Sequence, residues 1–243
     1  MASPHPPGHG WWSWAGWRVI DLFRRTASQA LDAALPAVCV GCGREGPPLC
    51  DACVPALDHR LTAPAGVPIG LPGDLPAPLL QLDWCAPFSG TVRSALHAIK
   101  YGGEQRLAEP LGAAIARRWA RIGVGAELVT HVPVHASRAR TRGYDQAELI
   151  ARAAARHLRL PYAPLLARER ATTAQFDLDR SDRAANVAGA FVADRERGES
   201  PVGRWVLLVD DVVTTGATLA ACAEALERAG ALGTSAITVA RER

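Results

Sequence analysis

The stretch that decides the fold is residues 206–218, Val206-Leu207-Leu208-Val209-Asp210-Asp211-Val212-Val213-Thr214-Thr215-Gly216-Ala217-Thr218. Its four leading apolar residues predict a buried strand, and ligands of open α/β sheets bind just beyond the carboxyl ends of such strands. Neighbouring strand residues point to opposite faces, so Asp210 and Asp211 each need a reason to be there. Ribose hydroxyls, together with a divalent metal ion on the same sugar and its pyrophosphate, would satisfy both carboxylates.

The residues after the two aspartates predict a phosphate site. Residues 214–218 supply backbone N–H groups, hydroxyls and a conformationally free glycine at the start of a predicted helix over 218–228. These groups together form a cradle for a phosphate dianion. In a plainer interpretation the aspartates only cap the next helix, which accounts for one of them but not for the whole run.

The rest of the chain predicts an α/β fold, a Rossmann-like parallel sheet flanked by helices. Five further apolar runs indicate strands, over 82–88, 128–134, 162–166, 190–192 and 235–240, while the strand of the quoted stretch covers 205–209. Amphipathic segments indicate helices over 91–101, 107–121, 146–158 and 218–228. Strands separated by helices of this length favour parallel pairing with right-handed crossovers.

Two Cys-x-x-Cys pairs, separated by seven residues, predict a structural zinc site at Cys39, Cys42, Cys50 and Cys53. Each pair can present two thiolates to one tetrahedral ion, and Gly43 relieves the tight turn after the first pair. Four buried free cysteines are the alternative, which this spacing disfavours. The other two cysteines, Cys85 and Cys222, are predicted to be a strand residue and a small core residue.

The composition is that of a globular chain. Of its 243 residues 49% are apolar and 21% are charged, which excludes a disordered protein, and a net charge of +3 permits nucleic-acid contact without arguing for it. No apolar run approaches a membrane span and the first ten residues lack an export signal, so a cytoplasmic location is expected.

Composition shifts predict four regions. An N-terminal tail and amphipathic helix occupy 1–36, the zinc module 37–60, a Pro/Gly-rich connector 61–80 and the α/β domain 81–243. The helix, over 17–35 beside four tryptophans, either docks on its own protein or lies on a membrane surface.

The quoted stretch resembles the motif of type I phosphoribosyltransferases that binds 5-phosphoribosyl-1-pyrophosphate (PRPP). The resemblance implies that Asp210 and Asp211 contact the ribose, that PRPP brings Mg²⁺, and that the 5′-phosphate lies against Thr214, Thr215, Gly216, Ala217 and Thr218. It implies a pyrophosphate loop after the strand over 128–134, made of His135, Ala136, Ser137 and Arg138. The polar stretch 168–186 resembles the flexible loop that closes over the reacting centre, with Thr172, Gln175 and Arg183 as its candidate residues.

Together with the cysteines, further motifs resemble the ComF family, bacterial phosphoribosyltransferase-like proteins associated with competence for DNA uptake. They read ALHAIKYGG over 95–103, VPV over 132–134 and RTRGYDQA over 140–147. Many members have asparagine where this chain has Asp145, which would add an acid near the anionic ligand.

Three residues of these motifs are further site candidates. Lys100, the sole lysine, either contacts phosphate or complements the dipole at its helix C-terminus. Tyr101 and Arg142 are the other two. Arg138, Arg140 and Arg142 crowd one turn, where they either bind an anion or form a solvated basic loop.

The resemblance implies two alternative functions. One is transfer of a phosphoribosyl group from PRPP to a nitrogen base, with no catalytic residue identifiable. The other is a non-catalytic accessory role in DNA uptake and natural transformation, binding single-stranded DNA or partner proteins. Any DNA binding is expected to be weak, salt-sensitive and indifferent to sequence, because the net charge is small and no groove-reading motif is present.

Overall fold

The computed structural model describes residues 38–65, 75–135, 140–168, 189–194 and 199–242. The predicted N-terminal helix lies outside these residues, as does nearly all of the predicted flexible loop, including Thr172, Gln175 and Arg183. Three residues of the predicted pyrophosphate loop, Ala136, Ser137 and Arg138, also lie outside them.

The described residues include six strands and four helices, together with a short helical stretch at residues 140–142. The strands are β1 (Gln81–Pro87), β2 (Leu128–His131), β3 (Leu166–Arg168), β4 (Phe191–Ala193), β5 (Trp205–Val213) and β6 (Gly233–Arg241). The helices are α1 (Gly90–Tyr101), α2 (Ala108–Ile122), α3 (Gln146–Leu158) and α4 (Ala217–Arg228), with 3₁₀ turns at Val54–Asp58 and Gln105–Leu107. The main sheet has the order β1-β6-β5-β2 and is parallel throughout.

Helices cover both faces of the main sheet. Along β5, Leu207 and Val209 pack into a core with α1, α2 and α3, whereas Val206 and Leu208 pack into a second core with α4. A strand buried on both faces must be apolar at successive positions, which is why the run over 206–209 is the strongest strand signal in the sequence.

The two central strands are longer than the sequence pattern indicated. β5 continues through Asp210 and Asp211 to Val213, since β6 pairs with it over its whole length, including Asp210 with Thr238. The two carboxylates therefore lie within the strand ladder, whereas the sequence pattern predicted them beyond its end. β2 is shorter than expected and ends at His131, because Pro133 cannot donate a ladder hydrogen bond.

The prediction of a strand over 162–166 is wrong. Tyr162 forms a single parallel bridge to Val129, and Pro164 then interrupts the pairing because it lacks an N–H group. The actual strand, β3, pairs antiparallel with β4 in a separate two-stranded sheet. The parallel arrangement that we predicted for every strand therefore holds only for the four-stranded sheet.

A buried ion pair ties the connector to the main sheet. Arg118 of α2 donates to Oδ2 of Asp83 on β1 at 2.8 Å, and both side chains are 1% exposed. Its guanidinium also donates to the backbone carbonyls of Arg60, Ala63 and Pro64, which follow the cysteine-rich region. The pair thus fixes the cysteine-rich region against α2 and β1.

Candidate functional site

The two carboxylates of β5 point to opposite faces of the sheet. Asp211 lies towards α1 and α3, where its Oδ2 is 3.3 Å from Nζ of Lys100 and accepts a 3.2 Å hydrogen bond from Nε2 of Gln146. Asp210 lies towards α4, where its charge helps to raise the pKa of the Cys222 thiol after the larger effect of burial. The two adjacent acids therefore have different surroundings.

The electrostatics of this pair favour a cationic ligand. Burial, reinforced by the neighbouring Asp211 carboxylate, raises the pKa of Asp210 well above its ordinary range. Oδ1 of Asp210 accepts one hydrogen bond, from the backbone N–H of Asp211 at 2.8 Å. The Asp211 carboxylate raises the pKa of Lys100, although partial burial opposes this. One ammonium therefore faces two carboxylates, and a bound cation would relieve the remaining repulsion.

A chain of side chains joins three motifs that are far apart in the sequence. Arg142 donates to Oε1 of Gln146 at 2.9 Å, Gln146 donates to Asp211, and Lys100 pairs with the same carboxylate. Tyr144 adds a hydrogen bond from its hydroxyl to the carbonyl of Ile99. Gln146 belongs to the RTRGYDQA motif but was not among the predicted site residues. Its position shortly after the turn at Arg142 is the signal that could have found it.

The turn between β5 and α4 carries the predicted phosphate residues. Gly216 has φ of +84° and is the N-cap of α4, so the helix begins without a side chain over its N-terminus. A Cβ atom at this position would lie 2.9 Å from Cγ of Pro76. Thr215 Oγ1 lies 3.4 Å from the backbone nitrogen of Ala217. The structure thus places Thr214, Thr215, Gly216, Ala217 and Thr218 around one helix N-terminus, the arrangement that suits an anion.

Asp145 is the N-cap of α3. Its Oδ1 accepts hydrogen bonds from the backbone of Ala147 and Glu148, the first turn of α3. Its Oδ2 accepts from the backbone N–H of Val134 at 2.8 Å. The acid therefore fixes the chain where it leaves β2, and its charge also contributes to the raised pKa of Asp210, after burial and the Asp211 carboxylate.

His131 is a second buried polar residue that sequence analysis missed. Its Nδ1 lies 2.8 Å from the hydroxyl of Tyr162, and its Nε2 lies 3.7 Å from Oδ2 of Asp145. No motif marks His131, because its role depends on contacts with residues distant in the chain.

The other predicted site residues lie around this centre. Tyr101 is 69% exposed, and the guanidinium of Arg142 lies 5.3 Å from its ring centroid. Arg140 is exposed, and His135 is half-buried at the end of a described segment. Neither alternative for Lys100 anticipated its actual partner, the Asp211 carboxylate.

The four predicted ligand cysteines form one cluster. Their sulfur atoms all lie within 4.8 Å of one another, close to the separation of about 3.8 Å for thiolates around a tetrahedral zinc ion. Gly43 has φ of +72° and donates its N–H to the carbonyl of Cys39 at 2.8 Å, as the predicted turn requires. The cluster can hold a metal ion.

Thiol acidity supports this conclusion. Burial opposes ionisation of Cys39, but hydrogen bonds from the backbone of Cys50, Cys42 and Gly41 lower its pKa to about 6. Burial and hydrogen bonds with the other three cysteines raise the pKa of Cys53 to about 12. The Cys39 thiol therefore ionises readily without metal, whereas ionisation of Cys53 is disfavoured unless a cation is bound. Cys85 and Cys222 are buried free thiols, as predicted.

None of the described helices has the length and apolar composition that crossing a membrane requires.

Comparison with known proteins identifies the α/β domain. Residues 145–242 match the model of the phosphoribosyl transferase domain family. With the parallel sheet and its flanking helices, this match confirms the predicted type I phosphoribosyltransferase fold.

Similar proteins match most of the chain. It is 31% identical over 204 residues to the DNA utilization protein YhgH of Escherichia coli (strain K12), an alignment that covers 80% of this chain and 85% of the relative. It is 30% identical over 199 residues to the protein of that name in Salmonella typhi, covering 75% and 86%. Competence protein F of Haemophilus influenzae is 36% identical over 105 residues, covering 43% and 45%.

Solved structures are more distant. The glutamine PRPP amidotransferase of B. subtilis aligns with a TM-score of 0.40 and 21% identity, over 59% of this chain and 30% of that longer chain. Adenine phosphoribosyltransferase from Leishmania tarentolae aligns with a TM-score of 0.34 and 15% identity, over 71% and 66%.

Proposed function

Because the chain belongs to the ComF family, we propose that it binds PRPP with Mg²⁺ at the carboxyl-terminal end of β5. The observation that carries this proposal is the Asp210–Asp211 pair, held on two faces of the central strand directly before a glycine-capped helix N-terminus. Carboxylates for a sugar and N–H groups for a phosphate are thus adjacent, as one ribose phosphate requires.

The ribose and the 5′-phosphate divide between the two parts of the site. Asp210 and Asp211 accept hydrogen bonds from the ribose hydroxyls. The 5′-phosphate lies against the N–H groups and hydroxyls of residues 214–218, where the positive end of the α4 dipole stabilises it. We expect the Lys100 ammonium to leave Asp211 and contact a phosphate oxygen when the ligand binds. The diphosphate carries more negative charge than the carboxylate, and Asp211 keeps its hydrogen bond from Gln146.

The donor set also fits Mg²⁺. Asp210 and Asp211 offer oxygen ligands, which this hard cation prefers, and a bound cation would offset the burial and the Asp211 charge that raise the pKa of Asp210. When bound with PRPP, Mg²⁺ neutralises diphosphate charge and so favours departure of pyrophosphate. The residues of the chain orient the sugar and hold the phosphate.

Transfer of the phosphoribosyl group to a nitrogen base is the enzymatic form of the proposal. The family and the fold support it, and its test is pyrophosphate release from PRPP and Mg²⁺ in a screen of nucleobases. Release that depends on one base supports a transferase. Calorimetric binding of PRPP with no release for any base assigns the chain a binding role.

A DNA-associated accessory role is the second candidate function. The observation that favours it is that the curated relatives carry the names DNA utilization protein and competence protein F. Such a role does not need turnover, so PRPP binding without pyrophosphate release is its expected result.

We further propose that the metal of the four-cysteine cluster is zinc and that its role is structural. Four sulfur donors suit Zn²⁺ and leave no open coordination position for a substrate.

A further inference from the structure

The exposed face of α1 carries aromatic rings flanked by guanidinium groups, and the roles proposed above for the ribose phosphate site assign no ligand contact to them. Phe88, just before the helix, lies 6.2 Å from His97, which lies 5.5 Å from Tyr101, measured between ring centroids. The guanidinium of Arg93 lies 6.0 Å from the Phe88 ring, and that of Arg142 lies 5.3 Å from the Tyr101 ring. These five residues form what we call the α1 stripe.

Most of the α1 stripe is open to solvent. Arg93, His97 and Tyr101 are exposed, while Phe88 is half-buried and packs against the core. Within the described part of the chain, Arg93, the His97 ring nitrogens and the Tyr101 hydroxyl form no hydrogen bond or ion pair. Their polar groups and ring faces are therefore in contact with solvent and accessible to a ligand.

We propose that the α1 stripe binds single-stranded DNA, with bases stacked on its rings and phosphates on Arg93 and Arg142. The inference deepens the DNA-associated role proposed above and rests on it. Unpaired bases expose π faces that stack on aromatic side chains, whereas the bases of a duplex are covered by their neighbours. The two flanking cations complement the phosphates that such a strand carries.

The dimensions of the α1 stripe favour a strand over a free base. From Arg93 to Tyr101 the helix axis advances about 12 Å, more than a single base covers. The rings are too close together for a base to enter between them, since each stacked contact needs about 3.5 Å. Bases would therefore lie on the outer faces of His97 and Tyr101, one after another.

The test uses the full metal-loaded chain and a fluorescently labelled oligothymidine of about 15 nucleotides, with fluorescence anisotropy at fixed salt. An abasic strand of equal length and a duplex serve as comparison probes. We expect the native protein to bind oligothymidine at least tenfold more tightly than the abasic strand. His97→Leu and Tyr101→Leu should each weaken oligothymidine binding by roughly tenfold, and together they should reduce it to the level of the abasic strand.

Matched controls separate stacking from charge and from folding. Tyr101→Phe keeps the ring and should keep the affinity. Arg228→Gln removes one positive charge on α4 and should change binding less than Arg93→Gln, which removes one from the α1 stripe. Calorimetry with PRPP on His97→Leu should give the native affinity. If the native protein does not bind PRPP at all, the ribose phosphate site is refuted, and the α1 stripe proposal is still tested by the oligothymidine measurements.

Three results would overturn the α1 stripe proposal. The first is equal affinity of the native protein for oligothymidine and the abasic strand. The second is unchanged oligothymidine binding by a well-folded protein that carries both His97→Leu and Tyr101→Leu. The third is that these ring substitutions alter only the binding of a free nucleobase. The last would assign the rings to an acceptor base.

Discussion

The ammonium of Lys100 lies 3.3 Å from Oδ2 of Asp211, so a lysine at the end of α1 neutralises one of the two acids on β5. Within the described residues Asp210 has no such ion-pair partner, and its pKa is raised by burial and by Asp211. The two adjacent acids are therefore unequal in the free protein. This inequality leads to distinct predictions for the two positions.

Replacing both acids should remove PRPP binding while leaving the fold intact. Asp210→Asn with Asp211→Asn keeps side-chain size but removes the charge that serves the sugar and its metal. Each hydrogen bond to a charged acceptor contributes roughly 1.5 to 3 kcal/mol, so affinity should fall about a hundredfold or more. Calorimetry with PRPP and Mg²⁺ measures the change, and equal affinity in the native and doubly substituted proteins would contradict the proposed site.

Thr215→Val should affect the phosphate and spare the metal. The substitution keeps the β-branched shape and removes a hydroxyl from the turn before α4, with a loss of roughly tenfold in affinity. Ribose 5-phosphate should weaken by the same factor as PRPP, since both carry the 5′-phosphate. A loss confined to PRPP would place the threonine against the pyrophosphate instead. Thr62→Val, at an exposed threonine after the cysteine-rich region, is the size-matched control and should leave both affinities unchanged.

The stability of the metal-free protein should fall as pH rises, through Asp210. Its folded-state pKa is above the ordinary value near 3.9, so the folded chain holds a proton that the unfolded chain releases. That contribution is complete below pH of about 4 and is lost as the pH rises through the folded-state pKa. Asp210→Asn mimics the protonated acid, so its melting temperature relative to the native protein should increase with pH.

Thermal scans in chelator from mildly acidic to alkaline pH measure this difference. Asp211→Asn is the control. It removes the ion-pair partner of Lys100, so its melting temperature should not increase relative to the native protein as the pH rises. Parallel pH profiles for Asp210→Asn and the native protein would contradict the assignment.

The cysteine cluster should hold one zinc ion per chain. Cys42→Ser removes the most exposed ligand and Cys53→Ser a half-buried one, and each should lower zinc content and melting temperature together, since metal binding is coupled to folding. Cys85→Ser alters a cysteine outside the cluster and should leave the zinc content unchanged. Elemental analysis that finds no zinc in native protein, with all four thiols titratable, would refute the zinc assignment.

Breaking the buried Asp83–Arg118 pair should destabilise the chain strongly. Asp83→Asn leaves a guanidinium charge that is 1% exposed without its counter-ion, at a cost of about 3 to 5 kcal/mol. Arg117 lies next to Arg118 on α2, and Arg117→Gln, which breaks its half-exposed pair with Asp58, should cost at most about 1 kcal/mol. Urea unfolding of both variants measures the contrast, and similar costs for the two would mean that the buried pair does not anchor the connector.

Local sequence signals predicted most of the elements closely. The helix over 146–158 has the bounds of α3, and the predicted strand over 82–88 differs from β1 by one residue at each end. These segments have an unbroken hydrophobic period, so neighbouring residues alone indicate them. The prediction of a strand over 162–166 was wrong because its apolar residues are packed beside β2 but do not pair with it past Pro164.

The sequence by itself determined the chemistry that the chain can perform: two adjacent acids before a glycine-containing turn, and two Cys-x-x-Cys pairs. Both depend on residues close together in the chain, where spacing defines geometry. Only the tertiary structure decided the partners: Lys100 and Gln146 on Asp211, Asp145 as a helix cap, and the rings of the α1 stripe beside Arg142. Those contacts join separate helices and strands, and their positions follow from how the layers pack on the sheet, which no local pattern encodes.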